Sequence, residues 1–253
     1  MLYRLKQAVH HWYQKLCEIF ISLGYKQSEV DQAVFYKLLP QVKQLIVVAV
    51  HIDDCTIATS TTCLVEELKA GLSCHIKVTD LSKLHWMLGI QVRRDREAQT
   101  ISISQHSYID SILRCYHFTN VKPLLMPMDT QVCLTSEQAP STPSEFAVMR
   151  VVPYCKAIGV LNWAMLTTHP DIVFAVAMVV HFGANPGPAH WEAVKWIFCY
   201  LAGTRDLYLL YSEMRCILEG YMATNSSMAK DWQAISGYAF LINSSTISWS
   251  SKR

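Results

Sequence analysis

The chain has 253 residues, 51% of them apolar and 17% charged, which excludes a disordered polymer and supplies enough apolar material for more than one core. Lys and Arg total 22 against 20 Asp and Glu; the net charge of +2 excludes a polybasic protein but leaves room for a local basic groove. No apolar run reaches the ~18 residues of a membrane helix, and no apolar signal core follows Met1, so the expectation is an intracellular chain, in cytoplasm or nucleus, without a membrane partner.

From about Gln7 to Leu23, the residues Val9, Trp12, Tyr13, Leu16, Ile19, Phe20 and Leu23 recur at helical spacing, which predicts a helix stopped by Gly24. Ala33 to Lys37 and Gln44 to His51 are rich in β-branched and aromatic residues and predict paired strands. Ile52-Asp53-Asp54 interrupts that pattern and Cys55 to Ala58 resumes it, so a hairpin with two acids at its tip is expected. Val65 to Leu72 reads as a helix, Trp86 to Arg93 and Thr100 to Ser104 as a strand pair, and Tyr108 to Cys115 as a short helix. Between about Lys122 and Pro143, four prolines among Ser, Thr and Gln predict a linker.

Three helical patterns follow, Tyr154 to Leu166, Asp171 to Phe182 and Trp191 to Leu201, with Asp171 placed to cap its helix. Strand-like pieces come last, at Leu207–Tyr211, Ile217–Met222, Tyr238–Ile242 and Thr246–Trp249. Trp86, Trp163, Trp191 and Trp196 lie in apolar periodic runs and are expected in cores. Nine cysteines without a CxxC pair predict buried reduced thiols rather than disulfides or a zinc site.

Asp53 and Asp54 carry the strongest chemical signal. They follow the apolar run Leu45 to Val50, and carboxylates taken out of water there need a cation or donors to offset the lost solvation. Hard divalent ions such as Mg²⁺ take oxygen ligands and bridge them to phosphates, which is the basis of two-metal phosphoryl transfer. A bare Asp-Asp pair also fits a solvated turn, so the neighbouring residues decide.

Ala49-Val50-His51-Ile52-Asp53-Asp54 resembles the Tyr-Val-Asp-Asp hairpin of reverse transcriptases of the Ty1/copia retrotransposon class. Leu2 to Ala8 with Trp12-Tyr13 is similar to the family's Leu-Tyr-Gly-Leu-Lys-Gln motif and its downstream Trp-Tyr. Gly24 to Asp31, Asp80-Leu81, Leu88 to Val92, Ser104-Gln105 and Tyr108-Ile109 continue the resemblance in order. Pro153-Tyr154, Pro170 to Ile172, Asn185-Pro186, His190-Trp191, Tyr200 to Thr204, Ser236 to Tyr238 and Ile247 to Trp249 carry it almost to the end.

The resemblance implies an α+β fold, with a partial reverse-transcriptase palm and thumb over 1–121, a linker over 122–150, a helical connection over 151–205 and a truncated RNase H-like sheet over 206–253. It implies RNA-directed DNA polymerisation with Mg²⁺ held by Asp53 and Asp54, and RNA template and DNA primer as partners. Arg93, Arg94 and Arg96 form the densest basic cluster and are the candidate nucleic-acid contacts.

Several departures bear on the chemistry. The chain opens after the strand that should bring another catalytic aspartate, so it is expected not to polymerise alone unless another Pol polypeptide supplies that strand. His51 stands where the family has tyrosine, Arg4 where it has glycine, and Val9-His10 where it has Pro-Arg. Ala223 and Asn225 fall on two RNase H acids, Asp231 is not placed to replace them, and no RNase H activity is expected. The alternatives are a non-catalytic nucleic-acid-binding or scaffold remnant, or a decayed reading frame.

Overall fold

The computed structural model describes residues 6–129, 131–212, 217–225 and 235–252. Leu2 to Leu5 of the first motif, with Arg4 among them, lie outside the described residues, as do Asp231 and Arg253. The chain forms two compact units, Met1–Leu84 and His85–Arg253.

The first unit begins with α1 (Lys6–Ser22), on the predicted helix. It ends in the double hydrogen-bond pattern of a left-handed glycine cap. Gly24, at φ 83, donates to the Ile21 carbonyl, and Tyr25 donates to that of Phe20. The Tyr25 ring then meets Phe20 edge-on, 5.5 Å between centroids, which turns the chain into the sheet. Strands β1 (Lys26–Gln27), β2 (Val34–Leu39), β3 (Gln44–His51) and β4 (Asp54–Thr59) form an antiparallel sheet in that order.

Period-two alternation buries Ile46, Val48 and Val50 and leaves Leu45, Ala49 and His51 outside. The run Leu45–Val50 is therefore buried on one face only. That face packs with Leu16, Ile19 and Phe20 of α1 and with Leu64, Leu68 and Leu72 of α2 (Thr62–Ser73). Phe20 stacks on Phe35 at 4.6 Å, and both are fully buried; each contributes about 2–3 kcal/mol of transfer free energy.

The second unit holds β5 (Trp86–Met87), β6 (Ile90–Asp95), β7 (Thr100–Ser104), α3 (His106–Cys115), α4 (Pro143–Arg150), α5 (Tyr154–Thr167), α6 (Val173–Val180), α7 (Pro188–Thr204) and β8 (Leu209–Ser212). Strands β5 to β8 make one antiparallel sheet in chain order. β9 (Leu218–Asn225), β10 (Ile235–Ile242) and β11 (Ser245–Lys252) make another in the order β11-β10-β9. The core of this unit joins Ile109 and Leu113 of α3 to Leu161, Val176, Ile197 and Phe198 of the following helices.

Several expectations change. Trp86 to Arg93 is two strands rather than one: Leu88 and Gly89 both have positive φ, 52 and 78, so the chain reverses and β5 folds back on β6. Asp171 caps no helix. It lies in a 3-10 turn, Pro170–Ile172, where its carboxylate faces His169 Nδ1 at 3.3 Å and accepts the Tyr200 hydroxyl at 2.5 Å. Burial alone would raise the Asp171 carboxyl, but those partners outweigh it and hold the group below the usual carboxylate range.

The proline-rich stretch expected as a linker carries α4 and a 3-10 turn, Ser136–Gln138, and buries Leu134 and Met149. Trp196 Nε1–H donates to the Met126 carbonyl at 2.8 Å, and Leu124 N–H to that of Cys199 at 3.3 Å.

The described cysteines are unpaired, yet none is buried: Cys63, Cys74, Cys115, Cys133 and Cys155 are exposed. On α2 the reason is register, since Cys63 falls off the Leu64-Leu68-Leu72 stripe, and Cys74 follows the end of the helix. None of the four tryptophans expected in cores is fully buried, and Trp86 is half exposed. Among the described residues, no helix is long and apolar enough to cross a membrane.

Candidate functional site

The register of β3 and β4 pairs His51 with Asp54, so the turn consists of Ile52 and Asp53 and Asp54 opens β4. Both aspartates are exposed. Water therefore solvates them, and the desolvation expected from the apolar strand is not imposed on them. Asp54 shares its sheet face with Ala49 and His51, opposite the face that packs on α1 and α2. The charge of the pair is felt behind the tip: burial, then Asp54, then Asp53 push the Cys55 thiol up and keep it protonated.

Ile52 has φ 54, an outlier for a β-branched residue, and its side chain is exposed. Its carbonyl accepts the indole Nε1–H of Trp12 at 3.0 Å. One residue on, the Tyr13 hydroxyl donates to the Gln32 carbonyl at 2.8 Å and accepts from Gln27 Nε2 at 2.7 Å. The sequence marks Trp12 and Tyr13 as part of a helix face and of a motif, without partners for their polar atoms, which the fold supplies.

Two adjacent carboxylates are the hard oxygen donors that Mg²⁺ takes, and that ion commonly keeps waters and substrate phosphates in its remaining positions. The donor type fits. Among the described residues, no group of three His, Cys, Asp or Glu could hold a metal ion. The remaining ligands at the hairpin would therefore have to come from water, phosphate or residues beyond those described.

Strand alternation divides the basic cluster. Arg93 pairs with Ser102 and Arg94 with Ile101, so their side chains leave opposite faces of the sheet. Arg94 and Arg96 line a cavity of about 370 Å³ with Ile101 and Tyr211. Arg93 lines another, of about 470 Å³, with Ser102, Ser104 and His106. In the C-terminal sheet, Ala223 is exposed on β9 opposite Gly237, and Asn225 is the last residue of that strand.

A family model described as reverse transcriptase (RNA-dependent DNA polymerase) matches residues 1–130. Over 99% of its length the chain is 36% identical to the retrovirus-related Pol polyprotein from transposon TNT 1-94 of Nicotiana tabacum, covering 19% of that protein. It is 28% identical over its whole length to the corresponding polyprotein from transposon RE2 of Arabidopsis thaliana, covering 17% of it. The RE1 polyprotein of the same plant is 29% identical, with 17% covered. The chain thus spans less than a fifth of the length of these relatives. No solved structure matches it at a significant level.

Proposed function

The chain belongs to the reverse transcriptase region of Ty1/copia-type retrotransposon Pol polyproteins, and from that premise we propose that Asp53 and Asp54 are the metal-binding aspartates of an RNA-directed DNA polymerase. The observation that carries the reading is the hairpin itself, which ends an otherwise apolar strand in two adjacent exposed carboxylates. Bound there, Mg²⁺ would stabilise the charge that develops on phosphoryl transfer. The chain's own part is to hold two hard anions at a fixed tip, open to a primer end and a nucleotide.

Arg93, Arg94 and Arg96 are the proposed phosphate contacts for RNA template and DNA primer, in two sets because the strand places them on two faces. The sheet of β9, β10 and β11 is the proposed RNase H-like segment. With Ala223 and Asn225 at two acid positions, it does not hydrolyse RNA.

Two carboxylates do not complete a two-metal site. On this reading Asp53 and Asp54 act together with a further carboxylate, and primer extension depends on both. The test is primer extension with Mg²⁺ or Mn²⁺, comparing the chain with an Asp53→Ala/Asp54→Ala variant. Extension by the chain that the variant loses would show that the pair needs no further carboxylate.

A further inference from the structure

We propose that Trp12 is a positioning residue for the paired aspartates: its indole N–H holds the Ile52–Asp53 peptide in the orientation from which the carboxylates meet a divalent cation. The inference rests on the reading of the hairpin as a metal site, and the experiment below separates the two.

The turn needs an outside support. Ile52 sits in the left-handed region at φ 54, where a β-branched side chain is strained, and its side chain lies outside the buried core that could otherwise hold it there. Rotation about the Ile52 N–Cα bond toward negative φ would relieve that strain and swing the Ile52 carbonyl with it. The hydrogen bond from Trp12 to that carbonyl opposes the rotation.

This bond reaches the aspartates through the peptide plane. The peptide is trans, so fixing the Ile52 carbonyl oxygen also fixes the Asp53 N–H, which points the opposite way in the same plane. The direction in which Asp53 leaves the turn, and in which Asp54 enters β4, follows from that plane. Divalent ions read such displacements, because ligands must stand within about 0.5 Å of the productive geometry.

The support is itself anchored. Leu16, Ile19 and Phe20 bury α1 against the sheet. The Tyr13 hydroxyl ties the same turn of helix to the Gln32 carbonyl, and Val50 N–H donates to the neighbouring Ala33 carbonyl at 2.9 Å. Helix, loop and β3 are thus fastened next to the tip. Trp12 is also partly buried against the core, so its packing must be separated from its hydrogen bond. Trp12→Phe keeps an aromatic ring and removes the N–H.

The experiment uses the full chain with Mn²⁺ as the probe. Affinity is read by the electron paramagnetic resonance of free Mn²⁺, and amide hydrogen exchange is followed at residues 51–54. Trp12→Phe is expected to keep cooperative unfolding, to speed exchange at 51–54 but not in β2, and to weaken Mn²⁺ binding roughly threefold to tenfold, the loss of one hydrogen bond. Adding Ile52→Asn, which adopts positive φ readily, is expected to restore both readouts in the Trp12→Phe background. A rescue of this kind would not follow if Trp12 only packed.

Unchanged exchange at 51–54 in Trp12→Phe overturns the proposal, whatever happens to the metal. Faster exchange with unchanged Mn²⁺ affinity also overturns it, provided that Asp53→Ala/Asp54→Ala abolishes binding. If Mn²⁺ binding does not depend on the two aspartates at all, the metal-site reading falls; the proposal then fails as stated, and the exchange data show only whether Trp12 holds the turn.

Discussion

The imidazole of His190 lies flat on the ring of Phe182, centroids 3.9 Å apart and 7° from parallel, in the interior of the second unit. Nδ1 of the imidazole accepts the Gly187 N–H at 2.8 Å, while Nε2 stands 3.1 Å from the Thr135 carbonyl. A backbone N–H facing Nδ1 and a carbonyl facing Nε2 select the neutral tautomer protonated at Nε2. His190 thereby caps α7 and fastens the 122–150 stretch to it.

This arrangement has a pH signature. Burial depresses the proton affinity of His190, against a smaller opposing effect of the Thr135 carbonyl. The unfolded chain takes up a proton near pH 6.5 and the folded one does not. The stability due to His190 is therefore fully present above pH 6.5 and is lost as pH falls below it, by at most about 1.4 kcal/mol per pH unit. Urea unfolding at pH 7.5, 6.5 and 5.5 measures the slope. His190→Asn should be less stable at pH 7.5 and flatter between 6.5 and 5.5, and an unaltered slope would assign it to other groups. Asp171, whose carboxyl is depressed, acts in a separate window, losing its contribution only as pH falls below about 4.

At Gly187 the constraint is space. A Cβ there would overlap the Gln138 carbonyl, which belongs to backbone and cannot swing away as a side chain would. Gly187→Ala should cost about 2 kcal/mol or more by forcing apart α7 and the 3-10 turn Ser136–Gln138. The shift in urea midpoint, at unchanged slope, checks it. Gly71→Ala serves as a contrast: the nearest atom there is the flexible end of Leu23, so a smaller loss is expected.

Tyr200 and Asp171 form a second polar link, from a buried phenol to a carboxylate nearer the surface. Burial raises the Tyr200 phenol, and Asp171 raises it further, so the hydroxyl remains the donor. Tyr200→Phe deletes a hydrogen bond to a charged acceptor and should cost roughly 1.5–3 kcal/mol at pH 7. The cost should shrink only at acid pH below the usual carboxylate range, where Asp171 takes up a proton. A pH-independent loss would mean that the hydroxyl's link to the carboxylate is not what stabilises the unit.

For the arginines, the two faces predict two independent effects on RNA–DNA binding. Arg94→Ala/Arg96→Ala should lower the slope of log affinity against log salt by up to about 2, and Arg93→Ala by no more than about 1. The triple variant should show the sum. A slope unchanged in all three variants would remove these residues as phosphate contacts.

Local signals were legible where spacing alone settles them. The α1 stripe, the stop at Gly24 and the hairpin with its two aspartates follow from short-range pattern, whereas the one-sided burial of the uniformly apolar β3 does not. The break at Leu88-Gly89 was missed because a leucine at positive φ has no signature in composition. The grouping of Arg93, Arg94 and Arg96 was misleading for the opposite reason: neighbours in sequence point apart on a strand.

The sequence by itself determined the family, the elements with strong periodicity such as α1, and the placement of Asp53 and Asp54 at the end of an apolar strand. Only the tertiary structure decided that Trp12 holds the Ile52 carbonyl, that His190 is a buried neutral cap and that Asp171 answers to Tyr200 rather than to its own helix. These pairings join residues 40 and 29 positions apart, and the far side of the His190 ring meets the Thr135 carbonyl 55 positions away. Hydrogen bonding depends on distance and direction in space, and neither is encoded in local spacing once a chain has turned back on itself.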